Sequence, residues 1–153
     1  MSQETGRVVD IESLDQFTTL LEEARGVPVL VKVGATWCPP CKRIEPHFRV
    51  VASETPNLHC VSVDVDKARA VAAMCQARVL PTFVVFYKGE LVPDVQLVGA
   101  SASALSHLAA AVANLDFDAA KKHSNSVTGM YMRPLLALLV VFVLTYFAFR
   151  YIF

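Results

Sequence analysis

The stretch that decides the fold is Val29-Leu30-Val31-Lys32-Val33, followed shortly by Trp37-Cys38-Pro39-Pro40-Cys41-Lys42. The first piece is apolar everywhere except Lys32, the pattern of a central strand buried on both faces. The second sets a cysteine pair where that strand ends and a helix begins. A helix N-terminus offers partial positive charge, which lowers a thiol pKa and favours the attacking thiolate. Two intervening residues let the second thiol reach back and resolve a mixed disulfide formed by the first. Cys38, at the exposed start of the helix, is therefore expected as the nucleophile. Cys41, one turn in and more buried, is expected as the resolving thiol, with Cys38–Cys41 the redox disulfide. Pro39 and Pro40 suit a first turn, whose N–H groups have no helical partner to lose.

A lone Cys-x-x-Cys could also be half of a zinc site, which would need two further ligands at compatible spacing. Cys60 falls in a predicted strand and Cys75 in a predicted helix, while His47 and His59 stand alone. No metal is expected, and no cofactor. Cys60 and Cys75 read as buried or helix-surface thiols, with Cys75 the better placed for regulatory oxidation. Asp64 and Asp66 are accounted for by strand-end solvation and helix capping, and His107 has no evident partner.

Outward from the motif, Val8 to Ile11 reads as a short strand and Leu14 to Glu23 as a helix, broken by Gly26-Val27-Pro28. A helix from about Cys38 to Ala52 contains Pro46, which should kink it. Leu58 to Val65 forms another buried strand, and Asp66 can cap a helix from Ala68 to Cys75. Leu80-Pro81-Thr82 opens a strand from Phe83 to Tyr87, and Lys88-Gly89 turns into a strand from Leu91 to Val98. Ser101 or Ser103 caps a last helix reaching about Leu115. That order implies an α/β domain, a mixed sheet with helices on both faces, over residues 1–115.

Residues 116–129 are polar, with Lys121-Lys122-His123, and read as a linker. The high apolar content, 54%, is concentrated beyond it, in residues 130–153. Pro134 to Phe149 carries no charge and is flanked by Arg133 and Arg150, with Tyr131, Tyr146 and Tyr151 toward its ends. About 16 residues at 1.5 Å each span roughly 24 Å, against a ~30 Å hydrocarbon core. Snorkelling arginines let Met130, Met132, Ile152 and Phe153 lengthen the span. A core helix would need a polar face, and this stretch has none. The expectation is a single C-terminal transmembrane helix acting as a tail anchor. The start of the chain is polar and shows no secretory signal, so the domain should face the cytosol. A short span with basic flanks suits a thin bilayer, the mitochondrial outer membrane ahead of the endoplasmic reticulum. Lys plus Arg equals Asp plus Glu, 14 each, so nothing points to nucleic acid.

Trp37-Cys-x-x-Cys-Lys42, Pro46, Leu80-Pro81-Thr82, Lys88-Gly89 and Gly99 occur in an order and spacing that resembles the thioredoxin family over about Val8 to Leu115. The resemblance implies a thioredoxin fold and a protein-disulfide reductase. It also implies that Pro81 is cis and lies beside the cysteines, where the backbone of Leu80 binds an extended substrate by strand addition. Trp37, Leu80, Pro81 and the Gly99-Ala100 turn would then form the docking surface. Two positions depart from the family. Lys32 stands where it usually places a buried acid that assists proton transfer at the resolving thiol. Either Lys32 is a strand-edge lysine that snorkels out, or it is partly buried beneath the motif with a depressed pKa and favours the thiolate. Pro39 replaces the usual glycine, giving a Cys-Pro-Pro-Cys motif similar to that of tryparedoxins and nucleoredoxins. Two prolines remove two backbone donors near the Cys38 sulfur, so its thiolate should be less stabilised unless Lys32 compensates.

The expected function is membrane-anchored reduction of protein disulfides, with an upstream reductant that is a flavoprotein reductase or a low-molecular-weight thiol. The alternative is a redox-sensing or chaperone-like adaptor that uses the fold mainly to bind a partner. A cytosolic poise disfavours an oxidase or isomerase.

Overall fold

Strand β2, Val29–Gly34, is buried at every residue, and its alternating side chains build both halves of the core. A computed structural model of the chain describes residues 6–24 and 26–118. In order the elements are β1 (Val8–Ile11), α1 (Leu14–Glu23), β2, α2 (Pro39–Glu54), β3 (His59–Asp64), α3 (Arg69–Met74), β4 (Thr82–Tyr87), β5 (Glu90–Val98) and α4 (Ala102–Asn114). They form one five-stranded sheet in the order β1-β3-β2-β4-β5. β1 and β2 run parallel to β3, and the β2–β4 and β4–β5 pairs are antiparallel. The sheet is mixed and flanked by helices on both faces, the architecture the order of elements implies.

Val29, Val31 and Val33 point to one face, where they pack with Val61, Val63, Val84 and Phe86 under α1 and α3. Phe17 of α1 meets Phe86 edge-on, with ring centroids 5.2 Å apart. Leu30, Lys32 and Gly34 point to the other face, beneath α2 and α4, which pack on each other. There Phe48 of α2 meets Phe83 of β4 at 5.6 Å. Each fully buried Val, Leu or Phe contributes roughly 1.5–3 kcal/mol relative to exposure. The core is therefore spread over two layers, with β2 shared between them.

Several element ends differ from expectation for local reasons. α2 continues to Glu54 and runs through Pro46, although proline has no N–H for the Lys42 carbonyl. α3 is short, with Ala68 at its N-cap and no side-chain cap. Asp66 does not cap it, because its carboxylate is taken by the indole of Trp37. Ser101, rather than Ser103, caps α4, accepting from the Ala104 N–H at 3.3 Å. β5 lies at the sheet edge and carries a register irregularity opposite Val84 to Phe86, where Pro93 is tolerated.

The sheet and cysteine pair belong to the unit Met1–Leu115; of the unit Asp116–Phe153, residues 116–118 are described. Among the described residues no helix is long and apolar enough to cross a membrane. The expected span at 130–153, and most of the expected linker, lie outside them.

Candidate functional site

Cys38 is the N-cap residue of α2, and Pro39 and Pro40 occupy its first turn. The backbone thus enters the helix through two residues that offer no donors. The Cys41 N–H fills the gap, donating to Cys38 Sγ at 3.3 Å. Cys38 and Cys41 are joined as a disulfide, with Cα atoms 5.3 Å apart. The expected contrast of an exposed Cys38 and a buried Cys41 is not met in this oxidised pair. They are 3% and 4% exposed, because Ala35, Val65 and Leu80 close around them. Trp37 beside them is 65% exposed.

Two loops from other parts of the chain complete the site. Leu80-Pro81 is a cis peptide, as the resemblance implies. Leu80 is half-buried against the cysteine pair, and Thr82 Oγ1 closes the turn by donating to the Val79 carbonyl at 2.6 Å. The Gly99 N–H donates to the Pro81 carbonyl at 2.8 Å, tying the Gly99-Ala100 turn to this loop. Gly99 has φ +100° and no atom within 4 Å of where a Cβ would stand, so the turn is open as well as glycine-dependent. Trp37, Val79 and Val98 are exposed apolar residues on these segments.

A carboxylate clamp that the sequence reading did not foresee holds the motif loop. Asp64 accepts from the Thr36 N–H at 3.0 Å and the Asp66 N–H at 2.9 Å, and so is not merely a solvated strand end. Asp66 in turn accepts from Trp37 Nε1 at 2.7 Å. Both partners lie nearly thirty residues earlier in the chain, so no local sequence pattern signals them.

Lys32 is not a strand-edge lysine. It sits on the central strand, 5% exposed, directly below the helix that carries the cysteines. Its ammonium pairs with Glu45 and lies 5.6 Å from the centre of the Phe48 ring. Burial lowers its pKa to about 8, against the raising pull of Asp10 and Asp64 and with the help of Arg49. Glu45, which was missed from sequence, also pairs with Arg49 at 2.8 Å. The available signal was its spacing: four residues after Cys41, it projects from the same helix face. Gly34 separates the lysine from the sulfur. A Cβ on it would lie 3.3 Å from Cys41 Sγ and 3.9 Å from Lys32 Cε.

The remaining candidates stand apart. Cys60 and Cys75 are buried, and burial pushes each thiol up to about 12, so neither is a ready thiolate near neutral pH. His59 is lowered by burial, His47 bonds Ser106 at 2.9 Å, and His107 is exposed on α4. Among the described residues no group of three or more His, Cys, Asp or Glu could hold a metal ion.

Comparison with known proteins agrees with this geometry. The thioredoxin family model matches residues 8–114. Thioredoxins from Oryctolagus cuniculus and Homo sapiens are each 40% identical over 87 residues, which is 57% of this chain and 83% of theirs. Among solved structures, thioredoxin from Schistosoma mansoni superposes with a TM-score of 0.61 at 33% identity, over 68% of this chain and 94% of its own. Thioredoxin from Malassezia sympodialis gives a TM-score of 0.63 at 31% identity, over 70% and 94%.

Proposed function

The chain belongs to the thioredoxin family, and from that premise we propose that it reduces protein disulfides at the cytosolic face of a membrane. It is a thioredoxin-like protein-disulfide oxidoreductase. The observation that carries the reading is the Cys38–Cys41 disulfide at the start of α2, packed against the Leu80 loop.

In the proposed reaction the Cys38 thiolate attacks one sulfur of a substrate disulfide. The Cys38–substrate bond forms, the substrate S–S bond breaks, and the first substrate sulfur leaves as a thiolate that takes a proton. The Cys41 thiolate then attacks Cys38 Sγ. The intramolecular disulfide closes and the second substrate sulfur is released. The substrate gains two electrons and two protons, and the protein loses them. A flavoprotein reductase or a small thiol returns them, with no bound cofactor. Trp37, Leu80, Pro81, Gly99 and Ala100 supply the docking surface, with the Leu80 backbone pairing an extended substrate segment. The Cys38 thiolate draws on the helix N-terminus and the Cys41 N–H. Pro39 and Pro40, a pairing similar to the tryparedoxin and nucleoredoxin motif, withhold two further donors. Unless Lys32 compensates, Cys38 is accordingly a less stabilised thiolate than one in a glycine-containing motif.

The domain at 1–115 is joined by the polar stretch 116–129 to an anchor at 130–153, the mitochondrial outer membrane being preferred. Support comes from the uncharged run Pro134 to Phe149 between Arg133 and Arg150. Cys41→Ser tests the chemistry, since the variant should accumulate substrates as mixed disulfides to Cys38, visible on non-reducing gels. No adduct under thiol-trapping conditions overturns the reductase reading. Alkaline extraction tests the anchor: the full chain should stay with membranes and a chain ending at residue 129 should not.

A further inference from the structure

The Lys32–Glu45–Arg49 cluster, which runs from the buried lysine through the partly buried carboxylate to an exposed arginine, has no part in the exchange just described. Lys32 and Glu45 line a solvent-open cavity of about 480 Å³ that also reaches Cys41 and Gly34. Three observations connect the cluster to the resolving thiol. Lys32 and Gly34 lie on the face of β2 that α2 covers, so the amine and Cys41 line one space. Gly34 has no side chain, leaving the path between them open on the strand side. Glu45 grips two cations, Lys32 through Oε2 and Arg49 through Oε1. An arginine does not lose its proton, so Glu45 keeps a counter-charge whether or not Lys32 is charged.

We propose that Lys32 is the proton acceptor for Cys41 and that Glu45 is the residue that positions it. The proposal rests on the dithiol reading above and deepens it. In the mixed disulfide, the neutral Lys32 amine takes the Cys41 S–H proton through one water, for which the cavity has room. The Cys41 thiolate then forms its bond to Cys38 Sγ as the Cys38–substrate bond breaks. Lys32, now an ammonium held by Glu45, returns the proton to the departing thiolate through the cavity. No net charge is left buried at either end of the cycle.

The charged groups facing Lys32 come from every adjoining element. Asp10 lies on β1, Asp64 at the end of β3, and Glu45 and Arg49 on α2. Ser62 of β3 and Phe83 of β4 are its neighbours in register and carry no charge. At the cavity rim Lys67 pairs with Glu12 at 2.9 Å. Lys32 titrating at about 8 is well matched to a thiol, as general acid–base transfer near neutral pH requires.

The test is stopped-flow reaction of the reduced full-length chain, in detergent, with 5,5′-dithiobis(2-nitrobenzoate) between pH 6 and 10. The first thionitrobenzoate released reports attack by Cys38, and the second reports resolution by Cys41. Lys32→Met should slow the second phase about a hundredfold at pH 7.5, change the first less than about threefold, and lose the inflection near pH 8. Lys32→Arg keeps the charge and the pairing with Glu45 but cannot give up its proton, so it should be as slow as Lys32→Met. Glu45→Gln removes a group that favours the ammonium and should move the inflection to lower pH. A fast second phase in Lys32→Arg overturns the base role in favour of simple charge. Loss of the inflection in Glu45→Gln but not in Lys32→Met assigns the proton to the carboxylate instead. If the Lys32 variants do not fold, an unmoved inflection in Glu45→Gln decides against the proposal. Failure of the wild type to release a second thionitrobenzoate overturns the dithiol reading itself, which is a different result.

Discussion

The two faces of β2 carry the same backbone and opposite duties. Val29, Val31 and Val33 pack into an apolar cluster under α1 and α3. Leu30, Lys32 and Gly34, interleaved with them, meet α2, where a buried cation, an absent side chain and a cysteine share one space. A dry face gains stability from each group it buries. A face that holds a charge gives some of that gain back through desolvation. In this sheet stability and reactivity are separated by one residue of alternation rather than by distance.

The largest effect should come from the chemical side. Cys38→Ser should reduce turnover of a protein disulfide such as insulin to the uncatalysed background, measured by the onset of turbidity. Residual turnover through Cys41 alone would break the division of labour between the two thiols. On the dry side, Phe17→Ala removes a fully buried ring packed on Phe86. It should cost about 3–5 kcal/mol in urea unfolding while turnover per folded molecule is unchanged. A proportionate loss of turnover in the folded fraction would mean the two faces are coupled.

A smaller effect is set by pH, and its sign distinguishes the buried lysine from the two buried thiols. The ordinary lysine pKa is 10.5, and in the fold Lys32 has about 8. Between those values the unfolded chain binds more protons, so this lysine makes stability rise with pH. Cys60 and Cys75 move the other way, from 9.0 to about 12. The stability they contribute is present below pH 9 and is lost as pH climbs toward 12. From pH 8 to 9 the lysine therefore acts first, and the oxidised wild type should gain about 1 kcal/mol on Lys32→Met. A constant difference across that interval would place the lysine in water. The smallest effect tests whether everything on the α2 side is chemistry. Ser101→Ala removes the cap of α4 and should cost about 1 kcal/mol, with turnover and its pH profile intact.

Much of this was legible in the chain because it is local. The run Val29 to Val33 announces a buried strand, and Cys38 and Ser101 sit where helices begin. The cysteine pair needs no partner from far away to be recognised. What stayed hidden depends on which face of a strand a helix covers. Lys32 could be read as snorkelling or buried until α2 was seen to lie over it. Asp66 looked like a helix cap because the helix is next in sequence, whereas the Trp37 indole is next in space. Cys38 looked exposed because it starts a helix, and the cover supplied by Leu80 comes from the loop before β4, beside β2 in the sheet but far along the chain.

The bare backbone at Gly34 has a mechanical meaning. Closing and opening a disulfide is a stroke, in which the Cys41 sulfur travels between bonded and non-bonded separations from Cys38. Gly34 is the clearance for that stroke. A single methyl there would meet the sulfur at 3.3 Å, nearer than such groups ordinarily sit. The obstruction would not weigh equally on the two ends of the travel. Its size could be read as a shifted equilibrium against glutathione in Gly34→Ala, a bias between oxidised and reduced protein produced by volume alone.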